Sequence, residues 1–130
     1  MSRENVEVVR RWVEAFVNDT DTFRALIHPD MEWMPFEDNN TPSYGLGGAM
    51  RIRSGWFDAW DEFSIEVHEI LDAGGEDVFV AATPFGRGKT SGVEVDVHLY
   101  GHFKVRDGKI VYFYEFQDRA EALKAVGLEE

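Results

Sequence analysis

The residue types in this sequence of 130 residues limit the chemistry that the protein could perform. Cysteine is absent, which excludes thiolate nucleophiles, disulfides and cysteine-ligated zinc. One candidate is Glu115, provided that the predicted strand Ile110 to Gln117 directs it into an apolar interior. Burial in such surroundings raises the pKa of a carboxyl group, which lets it act as a general acid or base. The alternatives are an exposed strand glutamate, or a buried one paired with a core hydroxyl.

Histidines offer a second chemistry. His98 and His102 lie at alternate positions of one predicted strand, and His68 and Asp96 are further potential ligands for a metal ion. The face that they share is the polar one, and no third ligand has convincing spacing. We therefore expect surface or interface histidines, and we expect neither a metal nor a cofactor.

Composition restricts the class of protein. The sequence has 25 acidic and 13 basic residues and a formal net charge of -12, which repels nucleic acids and anionic membranes. Hydrophobic residues make up 44%, enough for a core, but no apolar run approaches the roughly 20 residues of a membrane span. No secretory signal is visible after Met1. We expect one cytoplasmic domain over residues 1–130, with no nucleic-acid or membrane partner.

The spacing of apolar residues predicts the elements that position these side chains. Helices are predicted at Arg3 to Val17, Thr22 to Ile27, Leu46 to Phe63 and Asp118 to Val126. Strands are predicted at Met31 to Phe36, Ser64 to Asp72, Asp77 to Phe85, Val93 to Arg106 and Ile110 to Gln117. Asp118 and Glu121 form a capping pattern, which is a better interpretation of Asp118 than catalysis. Helices first and antiparallel strands later indicate an α+β fold with a curved sheet wrapped around the helices.

The turn at Arg106 to Lys109 decides which way Glu115 points. A two-residue turn would pair Arg106 with Lys109 and direct Glu115 into solvent. A three-residue turn, with Gly108 in a bulge, would pair Val105 with Lys109 and bring Glu115 into the interior beside Leu99. Patterning alone mildly favours the two-residue turn, because the interior that it produces is entirely apolar.

The three-residue alternative leaves a large aromatic surface on the outer face of the sheet. Such a surface is improbable in water and suits a partner subunit. We therefore expect a homodimer that forms through this outer face. Its residues are His98, Tyr100, His102, Tyr112, Tyr114 and Phe116.

Three parts of the sequence resemble the SnoaL-like branch of the nuclear-transport-factor-like superfamily, which includes ketosteroid isomerases. They are Val6 to Asp21 followed by His28 to Trp33, Gly92 to Val95 leading to Gly101-His102-Phe103, and Asp107 to Ile110 leading to Asp118 to Leu123. The resemblance implies an α+β cone, in which a strongly bent antiparallel sheet wraps around N-terminal helices and encloses an apolar pocket. It also implies pairing across the outer face.

The resemblance supports the three-residue turn. In relatives, the residues that correspond to Val111, Phe113 and Glu115 line the pocket. Polyketide cyclases and limonene epoxide hydrolases are similar in placing a catalytic carboxylate on this last strand, and that carboxylate aligns with Glu115. The resemblance therefore implies that Glu115 is catalytic.

Other family positions depart from the pattern. The isomerase general base falls on Pro35, its oxyanion-hole acid on Gly101 and its tyrosine on or near Val13. The cyclase histidine also falls on Gly101, and the arginine and second carboxylate of the epoxide hydrolases are missing near Ala82 to Pro84. We therefore do not expect ketosteroid isomerase activity.

The first functional hypothesis is a protein that binds a small apolar ligand, as a cofactor-independent isomerase, cyclase or hydrolase using Glu115 for general acid/base catalysis. The alternative is a non-catalytic homodimeric module that binds a ligand or a protein. The residues expected to contact the substrate are Trp12, Phe16, Trp33, Trp56, Leu99, Phe103 and Phe113.

Overall fold

The computed structural model describes residues 2–36 and 41–128. The helices are α1 (Ser2–Asn18), α2 (Thr20–Ala25), α3 (Gly45–Ala59) and α4 (Arg119–Val126). The strands are β1 (Ile27–Met34), β2 (Ser43–Tyr44), β3 (Trp60–Asp72), β4 (Asp77–Gly88), β5 (Glu94–Asp96), β6 (Leu99–Arg106) and β7 (Lys109–Phe116). The predicted order of helices and strands is confirmed, except that the short strand β2 was not predicted and the predicted strand Val93 to Arg106 is divided into β5 and β6.

The strands form a curved, unclosed sheet in the order β2-β1-β7-β6-β4-β3, and β5 pairs with β4 beyond the end of β6. Neighbouring strands are antiparallel except β1 and β7, which run parallel. The main hydrophobic core lies between the concave face of the sheet and α1. The predicted α+β cone is confirmed. The prediction of an antiparallel sheet needs one correction, since the β1–β7 pair is parallel.

Helix α1 closes the cone because its apolar residues recur every three or four positions. Its stripe is fully buried against the concave face of the sheet. The buried residues of α1 are Val9, Trp12, Val13, Ala15 and Phe16, and the sheet residues of the same core cluster include Val78, Val80, Phe103, Val105 and Ile110. This contact fixes the position of α1 over the sheet.

Helix α4 covers part of the opposite, convex face. Asp118 caps it by accepting a hydrogen bond from the Ala120 N–H at 2.9 Å, and Gly127 ends it in the left-handed conformation, as predicted. Its apolar residues pack on strand β4 in a second core cluster. This cluster contains Phe79, Ala81, Ala122, Leu123 and Val126.

The predicted strand over Val93 to Arg106 divides at Val97 and His98. Both halves pair with β4 in one continuous register, so the break is local. It lies opposite Pro84, which has no N–H to donate to the ladder. The carbonyl oxygen of Pro84 still accepts a hydrogen bond from the Val97 N–H at 3.2 Å.

Two helix boundaries differ from the prediction. Helix α3 ends at Ala59, and the residues from Trp60 to Phe63 begin β3, where Trp60 pairs with Gly88. Aromatic residues suit a paired strand, so strand pairing replaces the predicted last turn of the helix. His28 and Pro29 lie inside β1 rather than at the end of a helix, at an irregularity in its pairing with β7.

The hairpin between β6 and β7 combines features of both predicted turns. Its tip is a two-residue turn, in which Asp107 and Gly108 have φ of +55° and +72° and Arg106 pairs with Lys109. The three-residue turn with a bulge at Gly108 is therefore wrong. Directly after the tip, Val111 is an extra residue in β7 and forms a bulge.

The bulge shifts the register by one residue and so changes which face each later residue of β7 occupies. Phe103 pairs with Phe113, and Gly101 pairs with Glu115. Glu115 therefore lies on the concave face, as the second alternative predicted, although the turn itself is the one that the first alternative predicted.

Candidate functional site

The interior of the cone contains a narrow cavity of about 70 Å³ between α1, α3 and the concave face of the sheet. Its wall is almost entirely apolar, apart from Glu115 and the indole and phenol groups of the lining aromatics. It is lined by Trp12, Val13, Phe16, Trp33, Trp56, Phe63, Ile65, Val80, Ala82, Pro84, Leu99, Tyr100, Gly101, Phe103, Phe113 and Glu115.

Glu115 is the acidic group of this wall, and only 5% of its surface is exposed. Its Oε2 accepts a hydrogen bond from the indole Nε1–H of Trp33 at 2.5 Å. Its Oε1 accepts a second one from the backbone N–H of Phe36 at 3.2 Å. A buried carboxylate is tolerated only when such donors replace its hydration, and both donors here favour its ionised form.

Strand pairing explains why Trp33 and Glu115 meet. Trp33 is level with Phe113 on the neighbouring strand, so Glu115 lies one step further along the same face. Strand β1 ends at Met34, and Pro35 has no N–H. The next N–H, that of Phe36, is therefore directed to the Glu115 side chain instead of a backbone carbonyl.

The bond to Glu115 also gives an acceptor to the buried indole N–H of Trp33, which is 3% exposed. An indole N–H is a donor without acceptor capacity and usually needs a partner when it is buried. The family resemblance, not the residue pattern, placed Glu115 in the pocket, and sequence analysis missed its bond to Trp33. The available signal was that the predicted interior contained one acidic acceptor and several indole donors.

Gly101 faces the cavity beside Glu115, and two rings occupy the space where a side chain would lie. A Cβ at this position would stand 2.8 Å from Cε1 of Phe113 and 2.9 Å from Cε1 of Phe103. These two rings are stacked, with centroids 4.0 Å apart and an angle of 13° between their planes. The stack replaces the acid or histidine that the family resemblance placed at this position.

The other two isomerase positions are also inert. Val13 is 8% exposed and lines the cavity, and Pro35 lies outside the cavity wall, at a neighbouring groove. Ala82 and Pro84 contribute apolar surface where the epoxide hydrolases would need an arginine and a carboxylate.

Trp56 borders both the cavity and a wider groove of about 600 Å³ that lies beside α3. Its ring contacts Trp60 and Phe63, with centroid distances of 5.9 and 5.2 Å. Trp56 therefore lies between the narrow interior and the wider groove.

Every residue that sequence analysis selected for the site lies on the cavity wall: Glu115, Trp12, Phe16, Trp33, Trp56, Leu99, Phe103 and Phe113. Their roles in catalysis and substrate binding stay predictions. The lining residues of β3 and β4, such as Ile65 and Val80, were missed. Their apolar character was visible in the sequence, but the sequence does not show how far the sheet curves around α1.

The outer face is less open than predicted. Tyr100 and Phe116 pack within the cluster beneath α4, and the Tyr100 ring stacks on Phe79 at 6.4 Å. His102 is 7% exposed, and its Nε2 lies 2.7 Å from Oδ1 of Asp77. The prediction of one continuous exposed aromatic face is therefore corrected, because helix α4 of the same chain covers part of it.

Tyr112 and Tyr114 remain half-buried on this face. Burial raises the pKa of the Tyr112 phenol, and the nearby Tyr114, Glu32 and Asp77 raise it further. Tyr112 is therefore neutral at physiological pH, and the surface around it carries both acidic groups and Lys104, whose Nζ lies 5.7 Å from the centre of the Tyr112 ring.

The three histidines that sequence analysis considered as metal ligands form hydrogen bonds to protein side chains. His68 Nε2 and His98 Nδ1 lie 2.7 and 3.2 Å from the hydroxyl of Thr83, whereas His102 contacts Asp77. Within residues 2–36 and 41–128, no three His, Asp or Glu side chains converge as a metal site. In the same part of the chain, no helix is long and apolar enough to cross a membrane.

The fold is the nuclear-transport-factor-like cone of the solved structures named below, and the family model for the SnoaL-like domain matches residues 9–113. The chain therefore belongs to the SnoaL-like domain family. No curated protein sequence matches it significantly.

Several solved structures share the fold. A candidate SnoaL-like polyketide cyclase from Jannaschia sp. CCS1 has 21% identity and a TM-score of 0.78, with 99% of this chain and 95% of that chain covered. An LEH-like epoxide hydrolase from M. tuberculosis has 20% identity and a TM-score of 0.75, with 96% and 90% covered.

A third structure is a hypothetical protein from Catenulispora acidiphila DSM 44928 with a ketosteroid isomerase-like fold, solved in complex with trimethylamine. It has 15% identity and a TM-score of 0.76, with 94% of this chain and 93% of that chain covered. At these identities the likeness shows the fold alone.

The packing around Gly101 predicts that even one added carbon is costly. Gly101→Ala should lower the free energy of unfolding by about 1–3 kcal/mol, because the Phe103–Phe113 stack must move. Chemical denaturation measures this change. Gly55→Ala is the matched control, since a Cβ there would meet nothing within 4 Å and alanine favours the helix. A Gly101→Ala variant as stable as the wild type would contradict this packing.

Proposed function

We propose that the protein binds a small, largely apolar molecule in the cavity and transfers a proton on it, with Glu115 as the general base and then acid. The observation that supports this most is a carboxylate, 5% exposed, on the wall of an apolar cavity. The reaction class is a cofactor-independent isomerisation, cyclisation or hydrolysis, because such reactions can begin with one proton transfer.

The hydrogen bonds to Glu115 fit this role. Trp33 and Phe36 each donate to one of the two carboxylate oxygens. An ionised carboxylate has about four acceptor positions, so holding these donors is compatible with taking up a substrate proton. The two donors also fix the orientation of the carboxylate, which favours a defined reaction geometry.

The cavity limits the size of the substrate. A volume of about 70 Å³ is far below the roughly 300–1,000 Å³ that encloses drug-sized ligands. We therefore propose a substrate with few non-hydrogen atoms, or a longer one that also uses the groove beyond Trp56.

A test needs no natural substrate. A general base that acts next to a carbonyl exchanges the hydrogens on that carbon for deuterium in D₂O, and proton NMR follows this exchange in a panel of small cyclic ketones. Glu115→Gln keeps the shape but cannot take up the proton, so the acceleration over buffer should fall about 10²- to 10⁴-fold. Glu14→Gln is the control, because Glu14 is exposed on α1.

Two results would reject the role of Glu115. One is wild-type exchange no faster than buffer across the panel, and the other is a folded Glu115→Gln variant that still matches the wild type. The Glu14→Gln variant should retain full activity.

A second candidate is a non-catalytic homodimer that binds a ligand or a protein. It is favoured by the same hydrogen bonds, because both Glu115 oxygens already have donors within the chain and the carboxylate could be purely structural. Its interface would be the part of the outer face that α4 leaves open, around Tyr112 and Tyr114.

Sedimentation velocity tests the proposed interface. The wild type should sediment as a dimer at micromolar concentration. Tyr114→Lys should shift it to monomer, because the interface loses an aromatic ring and gains a charge that must be desolvated. Val93→Lys, at a site 57% exposed in the loop between β4 and β5, should leave the dimer intact. A monomeric wild type, or a dimer indifferent to Tyr114→Lys, would contradict the interface.

A further inference from the structure

One face of α3 forms a wall of the wider groove. Arg51, Gly55 and Ala59 line the groove at intervals of four residues, and Ile52 and Trp56 lie on the same face of the helix. The groove has a volume of about 600 Å³, within the roughly 300–1,000 Å³ that is typical of ligand pockets. Because Trp56 also borders the cavity, the groove continues the cavity outward along α3.

Gly55 leaves the middle of this wall open. The residue is exposed, and a Cβ at this position would meet no atom within 4 Å. Glycine in the interior of a helix destabilises the helix relative to alanine, and no neighbouring group requires it here. A ligand that lies directly against the helix backbone does require a residue without a side chain.

The two ends of the groove differ in polarity. Arg51 is the one charged residue of the described lining. Ser43, whose Cβ would stand 3.0 Å from a Cβ at Gly48, adds a hydroxyl group one turn before Arg51. The opposite end, where α3 finishes, is formed by the stacked rings of Trp56 and Trp60. The groove therefore fits a molecule with one polar end and an apolar body.

The guanidinium of Arg51 is accessible to such a molecule. Arg51 is exposed and forms no ion pair within the described part of the chain, whereas Arg87 and Arg106 each bind a glutamate. A guanidinium fits a carboxylate with two parallel N–H donors and stays charged at physiological pH. The net charge of -12 repels anions at long range, but salt at about 0.15 M screens this repulsion beyond about 8 Å.

We propose that the groove binds an amphipathic monocarboxylate, with its carboxylate on Arg51 and its hydrocarbon chain across Gly55 toward Trp56. The axis of α3 rises about 12 Å from Arg51 to Ala59, which corresponds to a chain of medium length. This inference rests on the proposed function, because it names the substrate class: the far end of the same molecule enters the cavity that contains Glu115.

Two probes of equal chain length test the anionic end. Octanoate and 1-octanol differ in the head group, and only octanoate is charged at neutral pH. Each is titrated into ¹⁵N-labelled protein below its solubility limit, and NMR yields the dissociation constant and the amides that shift. Octanoate should bind the wild type about three- to tenfold more tightly than 1-octanol, the effect of a solvent-exposed charged hydrogen bond, and should shift the amides of α3.

Two variants test the two parts of the groove, each with a matched control. Gly55→Leu should weaken octanoate binding about tenfold or more, because its side chain occupies the path of the hydrocarbon chain. Gly47→Leu should bind as the wild type does, since Gly47 lies in the same helix with equally open surroundings but does not line the groove. Arg51→Gln should remove the preference for octanoate. Lys124→Gln, the same change of charge on α4, should keep it.

The outcomes separate this inference from the proposed function. Equal affinities for the two probes, or a preference that survives Arg51→Gln, would reject the carboxylate site. Octanoate binding that Gly55→Leu leaves unchanged would reject the path along α3, as would a wild type that binds neither probe. In each case, deuterium exchange that depends on Glu115 would still support the proposed function. If octanoate binding follows these variants but no exchange occurs, the groove is supported and only proton transfer is rejected.

Discussion

The hydrogen bond from the Trp33 indole to the Glu115 carboxylate is the interaction on which the interior depends. It joins β1 to β7, the parallel pair of the sheet, at the wall of the cavity. Without the indole and the Phe36 N–H, a carboxylate that is 5% exposed would be buried with fewer donors in an apolar core. The same bond satisfies Trp33. The bond from Trp33 thus contributes to making an acidic side chain compatible with this core.

Backbone geometry makes that contact available. A single extra residue, Val111, separates the tight turn at Asp107 and Gly108 from the rest of β7. Without the bulge, the two-residue turn would place Glu115 on the convex face, because each step along a strand reverses the side. The bulge at Val111 thus decides that the acidic side chain of Glu115 lies on the cavity wall. The stacked rings of Phe103 and Phe113 fill the space that a polar side chain at position 101 would need.

Sequence periodicity was sufficient to predict most of the helices and strands and which side of each one faces the core. The alternation from Val93 to Arg106 predicted that Phe103 and Val105 of β6 enter the core, which is right, whereas Val93, before the break, is 57% exposed. The face of Glu115 was left open, since it depends on counting one bulged residue, and no residue type marks Val111 as that residue. The packing of α4 on the convex face could not be predicted either, because the apolar residues of a short helix do not specify which face of a sheet they contact. The bond between Trp33 and Glu115 joins residues 82 positions apart and needed coordinates.

The central claim is that Trp33 and Glu115 are energetically coupled on the cavity wall. A double-mutant cycle tests it most directly: the free energy of unfolding is measured by denaturant titration for the wild type, Trp33→Phe, Glu115→Leu and the double variant. A hydrogen bond to a charged group predicts a coupling energy of about 1.5–3 kcal/mol, so that Trp33→Phe costs far less once Glu115 is gone. Strictly additive effects, with no coupling beyond the error of about 0.5 kcal/mol, would contradict the account.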